Sequence, residues 1–497
     1  MKFIRNRIGT LTAAAILCLS TGLFGSSSIA KDAPELSSCD LQSATVSAEL
    51  KTPVTTEYVT EFLLNNDLNR YDAAADDSSW AEKIMNDFVT AQIRVYGSLN
   101  HEQLAFMLYK YAEYNGMDLS YSEKDAAEIK NYSPWAEKAL KWAADLGVME
   151  VSGNAEYAKS EVSLLEARDI LYHFSNVSAL SLWRNGAQSR RQLLDYVDAV
   201  TDEEGQDFIP VKDRVAVFDF DGTLFCETDP NYFDYMLLKH RVLDDPDYRD
   251  KASEFEREVA NKIREQNETG KSFSGLEVDH GKAVASSFAG MTINEFNDYV
   301  QKFKQQDLPS YNGMKRGECF YRPMLQVVDY LTRNYFRVYV VSGTDRFIVR
   351  GIIHDSMLNL PNSQIIGSDE TVVASGQGST DGLEYFYGEK DQPKLGGTFI
   401  IKNLKMNKVS VIVKEIGQQP VLSFGNSTGD GSMAAFVTRG NPYRSMAFML
   451  LCDDTVRENG SEAKAAKMLD LCTKQNWTPV SMRDDWVSIY GSQVSKK

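Results

Sequence analysis

The run Val215-Ala-Val-Phe-Asp-Phe-Asp-Gly-Thr-Leu224 decides how the second half of the chain is read. Its apolar residues predict a buried strand, and Gly222-Thr223 predicts the turn that ends it. Side chains alternate along an extended segment, so Asp219 and Asp221 leave the strand end on one side and converge on a single ligand. Paired carboxylates so placed suit phosphoryl transfer, in which one attacks phosphorus while the other moves the proton.

Outward from that run, the chain from 214 to its end alternates apolar strands with helices. Val215 to Phe220, Val338 to Val341, Gln364 to Ile366, Val421 to Phe424 and Met446 to Leu451 predict a doubly wound parallel sheet of the α/β class. Ligands in such sheets bind beyond the carboxyl ends of the strands, where Asp219, Ser342 and Asn426 fall. Residues 226–320 break the alternation. They read as a largely helical insert, with Phe255, Val259 and Ile263 on one face and Phe296, Val300 and Phe303 on another, set over the site as a cap that excludes water and selects the substrate. A second insert, 371–405, is rich in Gly and Tyr and reads as a hairpin or loop flap. The stretch beyond Asp454 carries no legible chemistry and is expected to pack on the sheet.

Asp219-Phe-Asp221-Gly-Thr223, Val340-Val-Ser342-Gly-Thr344 and Phe424-Gly-Asn-Ser-Thr-Gly-Asp430, each following an apolar strand, make residues 214–454 resemble the haloacid dehalogenase superfamily in its phosphatase branch, a Rossmann-like core with a cap. The resemblance implies Asp219 as the nucleophile that becomes an aspartyl-phosphate and Asp221 as the acid that protonates the leaving oxygen and then activates water. Ser342, Gly343 and Thr223 are the implied phosphate contacts. Of Lys394, Lys402, Lys405, Lys408 and Lys414, we take Lys408 as the family's lysine, because in Asn407-Lys-Val-Ser-Val-Ile412 it opens an amphipathic helix leading to the next strand. Mg²⁺ is the implied cofactor, held by Asp219, the Asp221 carbonyl, Asp430 and Asn426, an amide standing where many relatives carry an aspartate. Tyr321-Arg-Pro-Met-Leu-Gln-Val-Val-Asp-Tyr-Leu331 is similar to phosphoserine and phosphorylcholine phosphatases. Tyr232, Tyr235, Phe273 and Phe288 offer either an aromatic box for a quaternary ammonium or cap core, and Glu227 meets an amine head group or solvates a turn.

The first half reads differently. Lys2, Arg5 and Arg7 before the apolar run Ile8 to Phe24, with Ser28-Ile-Ala30 behind it, predict a signal peptide over 1–30 and a secreted product starting near Lys31. Residues 31–55 read as a linker, 56–180 as an all-α domain and 181–213 as a connector to the phosphatase-like domain at 214–497. Tyr132-Ser-Pro-Trp-Ala-Glu-Lys-Ala-Leu-Lys-Trp-Ala-Ala-Asp-Leu-Gly-Val148 and Ser163-Leu-Leu-Glu-Ala-Arg-Asp-Ile-Leu171 resemble the two helices of an S-layer homology unit. Ser79-Trp-Ala-Glu-Lys83 with Leu99 to Leu108 forms a weaker copy. Such units imply association with a cell-wall polymer, although the family's Thr-Arg-Ala-Glu glycan motif reads Leu164-Leu-Glu-Ala167 here; the other reading is a helical accessory domain.

A net charge of −17 over 497 residues excludes nucleic acid as a partner held by charge, and an anionic substrate then needs a metal and local cations. No second long apolar run predicts a stable membrane span. Six cysteines, Cys18 among them in the leader, make no disulfide scaffold; Cys226 and Cys319 flank the cap, either as a bridge or as buried thiols. The expected function is hydrolysis of a small phosphorylated metabolite, phosphocholine-like or phosphoserine-like. The alternatives are a phosphotransferase and a non-catalytic wall-binding protein.

Overall fold

The computed structural model describes residues 51–65, 80–95, 97–122, 130–149 and 156–497. The expected leader, most of the expected linker, Cys18, Cys39 and Ser79 lie outside the described residues. The chain divides into two units, Met1–Ser181 with Leu194–Phe208, and Leu182–Leu193 with Ile209–Lys497.

The first unit contains α1 (Thr56–Asn65), α2 (Trp80–Thr90), α3 (His101–Tyr114), α4 (Glu137–Asp145) and α5 (Leu164–Ser178). Two of these helices start on reciprocal caps, Asn100 with Gln103 and Ser163 with Glu166, which satisfy amides the first turn leaves without partners. Helical spacing groups Leu104, Leu108 and Tyr111 on α3 and Ala167, Leu171 and Phe174 on α5, and all six are buried; of Trp135, Ala139, Trp142, Ala143 and Leu146, grouped in the same way around α4, the middle three are buried and Trp135 and Leu146 are half-buried. Trp80 meets Tyr111 edge to face at 4.7 Å, so the weaker copy contributes to the same core. Glu102, which with His101 stands in the place of the glycan motif in that copy, is buried and accepts from both the amide and the hydroxyl of Ser133 at 2.9 Å. Its carboxylate is occupied in tying α3 to the turn before α4. Helix α6 (Gln188–Thr201) follows, its residues up to Leu193 counted with the second unit and those from Leu194 with the first.

The second unit is built on a sheet of seven strands: β1 (Val215–Phe218), β3 (Arg337–Asp345), β4 (Ile365–Ala374), β5 (Pro393–Ile401), β6 (Leu422–Gly425), β7 (Met446–Leu451) and β8 (Thr478–Ser481), in the order β5-β4-β3-β1-β6-β7-β8. Every neighbouring pair is parallel except β4 with β5, which is the flap expected near 371–405. Five strands fall where apolar runs predicted them. The sixth parallel strand, β8, lies in the C-terminal stretch: it joins the sheet as an edge rather than packing on a face. Register places Phe218 beside Phe424 and Phe424 beside Phe448, and their rings stack at 4.3 and 5.0 Å across the adjacent strands β1, β6 and β7.

Between β1 and β3 the cap contributes α7 (Phe233–Lys239), α8 (Glu254–Thr269), α9 (Leu276–Ser287) and α10 (Ile293–Lys304). Phe296, Val300 and Phe303 are buried as their spacing implied, as are Val259 and Ile263, but Phe255 is 40% exposed because it lies in the first turn of α8, past the edge of the buried face. A short strand at the cap's exit, β2 (Tyr311–Asn312), pairs with the terminal β9 (Ser495–Lys496). The remaining helices are α11 (Arg322–Arg333), α12 (Arg346–Ile353), α13 (Met406–Val411), α14 (Gly431–Thr438) and α15 (Glu462–Gln475). Among the described residues no helix is long and apolar enough to cross a membrane.

Candidate active site

Loops after β1, β3 and β6 surround a cavity of about 320 Å³ at the carboxyl ends of those strands, with cap residues Tyr232, Asp234, Tyr235 and Glu277 on its other side. A larger cavity, of about 470 Å³, touches the amino ends of β7 and β8, has no carboxylate in its lining, and its one cation, Arg439, is bonded to Gln475.

The strand ladder positions the acids. The Asp219 amide donates to the Phe424 carbonyl at 2.9 Å, extending the β1–β6 pairing by one residue, and the chain then turns through Gly222 at φ +77°. A side chain on Gly222 would strike the Asn426 amide and the Glu227 carboxyl, so close approach as well as backbone conformation requires glycine. Lys408, in the first turn of α13, is fully buried and donates to Asp219 Oδ1 at 2.5 Å and to Asp430 Oδ1 at 2.7 Å. The other Asp430 oxygen accepts from the amides of Asn426 and Ser427 and the Ser427 hydroxyl at 3.0–3.1 Å, folding the loop after β6 around itself. Lys414 is exposed and Lys394 is partly so on β5; Lys402 and Lys405 reach the cavity but bond neither acid.

Burial first, then the Asp430 charge, pushes the Asp219 carboxyl up to about 7, with the Lys408 ammonium working against both. Burial opposes the charge on Lys408, but the two carboxylates outweigh it and hold its pKa above the ordinary lysine value. Asp221 is pushed well above the carboxylate range, by burial and then by the Asp234 charge. Thr344 Oγ1 lies 2.7 Å from Asp221 and 3.1 Å from Asp234. It has one proton to donate, so the two carboxyls compete for it. Burial raises Glu227 to about 7, against a hydrogen bond from the Asn426 side chain.

Asp219, Asp221, Lys408, Asp430, Asn426 and Gly343 are thus brought together. Ser342 and Thr223 differ: both are fully buried and outside the cavity lining, the Ser342 hydroxyl turned into its own loop to accept the Thr344 amide at 3.0 Å, and Thr223 within the turn after β1 with its hydroxyl buried. Thr344 and Asp234 stand in the place where sequence reasoning had left no residue. Thr344 was visible in its motif without a role. Asp234 was signalled by its position, an acid between Phe233 and Tyr235 on the buried face of α7. Of the four aromatic residues, Tyr232 and Tyr235 face the cavity with rings 5.4 Å apart, whereas Phe288 packs on Phe296 and Tyr299 in the cap core. Cys226 and Cys319 are buried free thiols on the two linkers of the cap, where the Cys226 amide donates to the Cys319 carbonyl at 2.9 Å.

Residues 216–435 match the family described as haloacid dehalogenase-like hydrolase. The chain therefore carries a hydrolase domain of that family over those residues. No curated protein matches the chain. Among solved structures, similarity extends to a conserved protein of unknown function from Anaerococcus prevotii at 12% identity, 61% coverage of this chain and 96% of that one, with a TM-score of 0.38. Cytosolic 5'-nucleotidase IIIB bound to cytidine gives 13% identity, 58% and 84% coverage and a TM-score of 0.34. A phosphoserine phosphohydrolase-like protein from Francisella tularensis gives 14%, 52% and 92%, and 0.28. At such scores none of them bears on what this chain does.

Proposed function

We propose that the chain is a phosphomonoesterase acting on a small phosphorylated metabolite through an aspartyl-phosphate. The observation that carries this reading is the buried Lys408 ammonium bonded to both Asp219 and Asp430, beside an Asp221 carboxyl that burial, and then the Asp234 charge, pushes well above the ordinary carboxylate range. Asp219 attacks phosphorus while the bond from phosphorus to the ester oxygen breaks. Asp221 gives its proton to that oxygen, and the alcohol leaves. Asp221, now a base, takes a proton from water as the water attacks the phosphorus of the acyl phosphate, and inorganic phosphate and free Asp219 result. Lys408 offsets the charge of the nucleophile and of the phosphoryl oxygens throughout.

The residues present fit a magnesium ion. Asn426 Oδ1 and Asp221 Oδ1 are buried oxygens without a hydrogen-bond partner beside the site, and Asp219 and Asp430 add oxygen donors of the hard kind this ion takes. Among the described residues no three His, Cys, Asp or Glu side chains form a ready cage, consistent with a site completed by an amide, a backbone carbonyl and the substrate. Asp219, Asp430, Asn426 and the Asp221 carbonyl would hold the ion, which supplies charge neutralisation on the phosphoryl oxygens. The proposal includes export, supported by the basic and apolar pattern of residues 1–30, and wall association through the first unit, supported by its two Trp-Ala helices.

Phosphate release from an aryl phosphate, phosphocholine and phosphoserine, with Mg²⁺ or EDTA, tests the catalytic reading. Release should need the metal and fall by at least about a thousandfold in Asp219→Asn, as for loss of a covalent nucleophile. Release that survives the substitution, or none from any ester, defeats it. Added glycerol would be phosphorylated by a phosphotransferase, and binding to purified wall polymer without turnover would favour the non-catalytic alternative.

A further inference from the structure

We infer that Lys402 and Lys405 form a second anion subsite at this cavity, so that the alcohol released from phosphate carries a negative group of its own, a carboxylate or a second phosphate. The inference rests on the phosphomonoesterase reading and narrows its substrate class.

The segment from Lys402 to Lys405 leaves the flap strand β5 and crosses between two catalytic loops. Leu404 is seated against both: a methyl group added at Gly343 would meet its Cδ2 at 2.6 Å, and one at Gly429 at 3.4 Å. Asn403, fully buried, fastens the segment to the loop after β3, donating from Nδ2 to the Ser342 carbonyl at 3.0 Å. Its amide donates to Ser368 Oγ, which donates in turn to the Gly343 carbonyl at 2.6 Å. On the other side, the Lys405 amide donates to the Gly429 carbonyl at 2.8 Å. The lysines therefore stand on a fixed piece of backbone rather than on a mobile loop.

Lys405 holds φ +55° and ψ −124°, a region sparsely populated by any residue with a Cβ. Glycine would sit there without strain, yet a long cation occupies the position and its side chain lines the cavity. Among the described residues neither the Lys402 nor the Lys405 ammonium has a hydrogen-bond or ion-pair partner. The other charges around the cavity are largely engaged: Lys408 with Asp219 and Asp430, Asp221 and Asp234 with Thr344, and Glu227 with Asn426. Glu277, exposed on the cap, is the remaining acid. In a chain of net charge −17, two unpaired lysines beside one catalytic cavity are a local concentration of cations where an anion must enter. The phosphoryl group has Lys408 already, so a further anionic group on the same molecule is what the outer pair fits.

The test compares ethyl phosphate, 2-phosphoglycolate, ethane-1,2-diol bisphosphate and phosphoethanolamine as substrates of the full chain. The wild type should favour one or both of the doubly anionic esters over ethyl phosphate by about tenfold in kcat/KM, the size of one charge-assisted contact. In Lys402→Met/Lys405→Met that ratio should fall toward one, chiefly through KM, and Lys402→Arg/Lys405→Arg should retain it. Which of the two esters gains tells a carboxylate from a second phosphate. A ratio near one in the wild type, a ratio that survives loss of both lysines, or a preference for phosphoethanolamine overturns the inference. If no ester is hydrolysed, the phosphatase reading has failed. The subsite is then judged by calorimetric binding of the same four compounds to Asp219→Asn, where absence of tighter binding by the doubly anionic pair overturns it.

Discussion

Glu370, on β4, is a carboxyl with both oxygens buried and unpartnered. Burial, then the charges of Asp345 and Asp369, pushes it up to about 9. A carboxyl whose folded pKa lies above its unfolded one, about 4.3, binds its proton more tightly when folded. The stability this gives is complete below the unfolded value and is lost progressively as pH rises to about 9. Glu370→Gln removes that titration, so the variant should gain stability relative to wild type between about pH 5 and pH 9, as read from urea midpoints across the window; a parallel pair of curves would refute it. Single residues were also where sequence reading reached furthest into the site. Asp219 and Asp221 are legible because strand alternation fixes where both side chains go, and Lys408 because a helix start after a loop fixes its own. Thr344 and Asp234 were not, since their pairing joins a strand end to a cap helix more than 100 residues away in the chain, and nothing in either local pattern reports the other.

At the scale of elements, apolar runs announced five strands because each is buried on both faces, as in a sheet flanked by helices. The edge strand β8 was missed for the complementary reason: Thr478-Pro-Val-Ser481 is short, and half its residues are only partly buried, so it offers no continuous apolar signal. The stacked Phe218, Phe424 and Phe448 hold together the adjacent strands β1, β6 and β7, the first two of which end in loops that line the cavity. Phe424→Ala should lower unfolding free energy by about 3–5 kcal/mol, as for other buried aromatic truncations. The loss should appear in denaturant midpoints, while a drop below about 1 kcal/mol would mean that the ladder is dispensable.

At the scale of the second unit, the C-terminal stretch is more than sheet covering. Glu458, fully buried, accepts from Thr228 at the cap's entry, from Tyr311 at its exit and from Tyr490 near the chain end. Arg457 beside it donates to the carbonyls of Met482, Trp486 and Val487, fixing the last loop. Both cap linkers and the terminus therefore meet on one buried carboxylate, and β9 closes over β2. Deleting residues 495–497 removes that closing pair. Limited proteolysis within 226–320 should then become faster, and an unchanged rate would show that Glu458 alone secures the neck.

The β2–β9 pair also bears on how the protein is handled. Its outer partner ends one residue short of the chain's last, Lys497, whose own amide still donates to the Ser310 carbonyl at 2.8 Å. An affinity tag fused directly at that end would begin inside the pairing rather than in open solvent, and would press on the hinge of the cap. Tagged preparations would then report altered access to the cavity as though it belonged to the untagged protein, which makes a cleavable fusion with a flexible spacer the sounder choice for assays of the proposed activity.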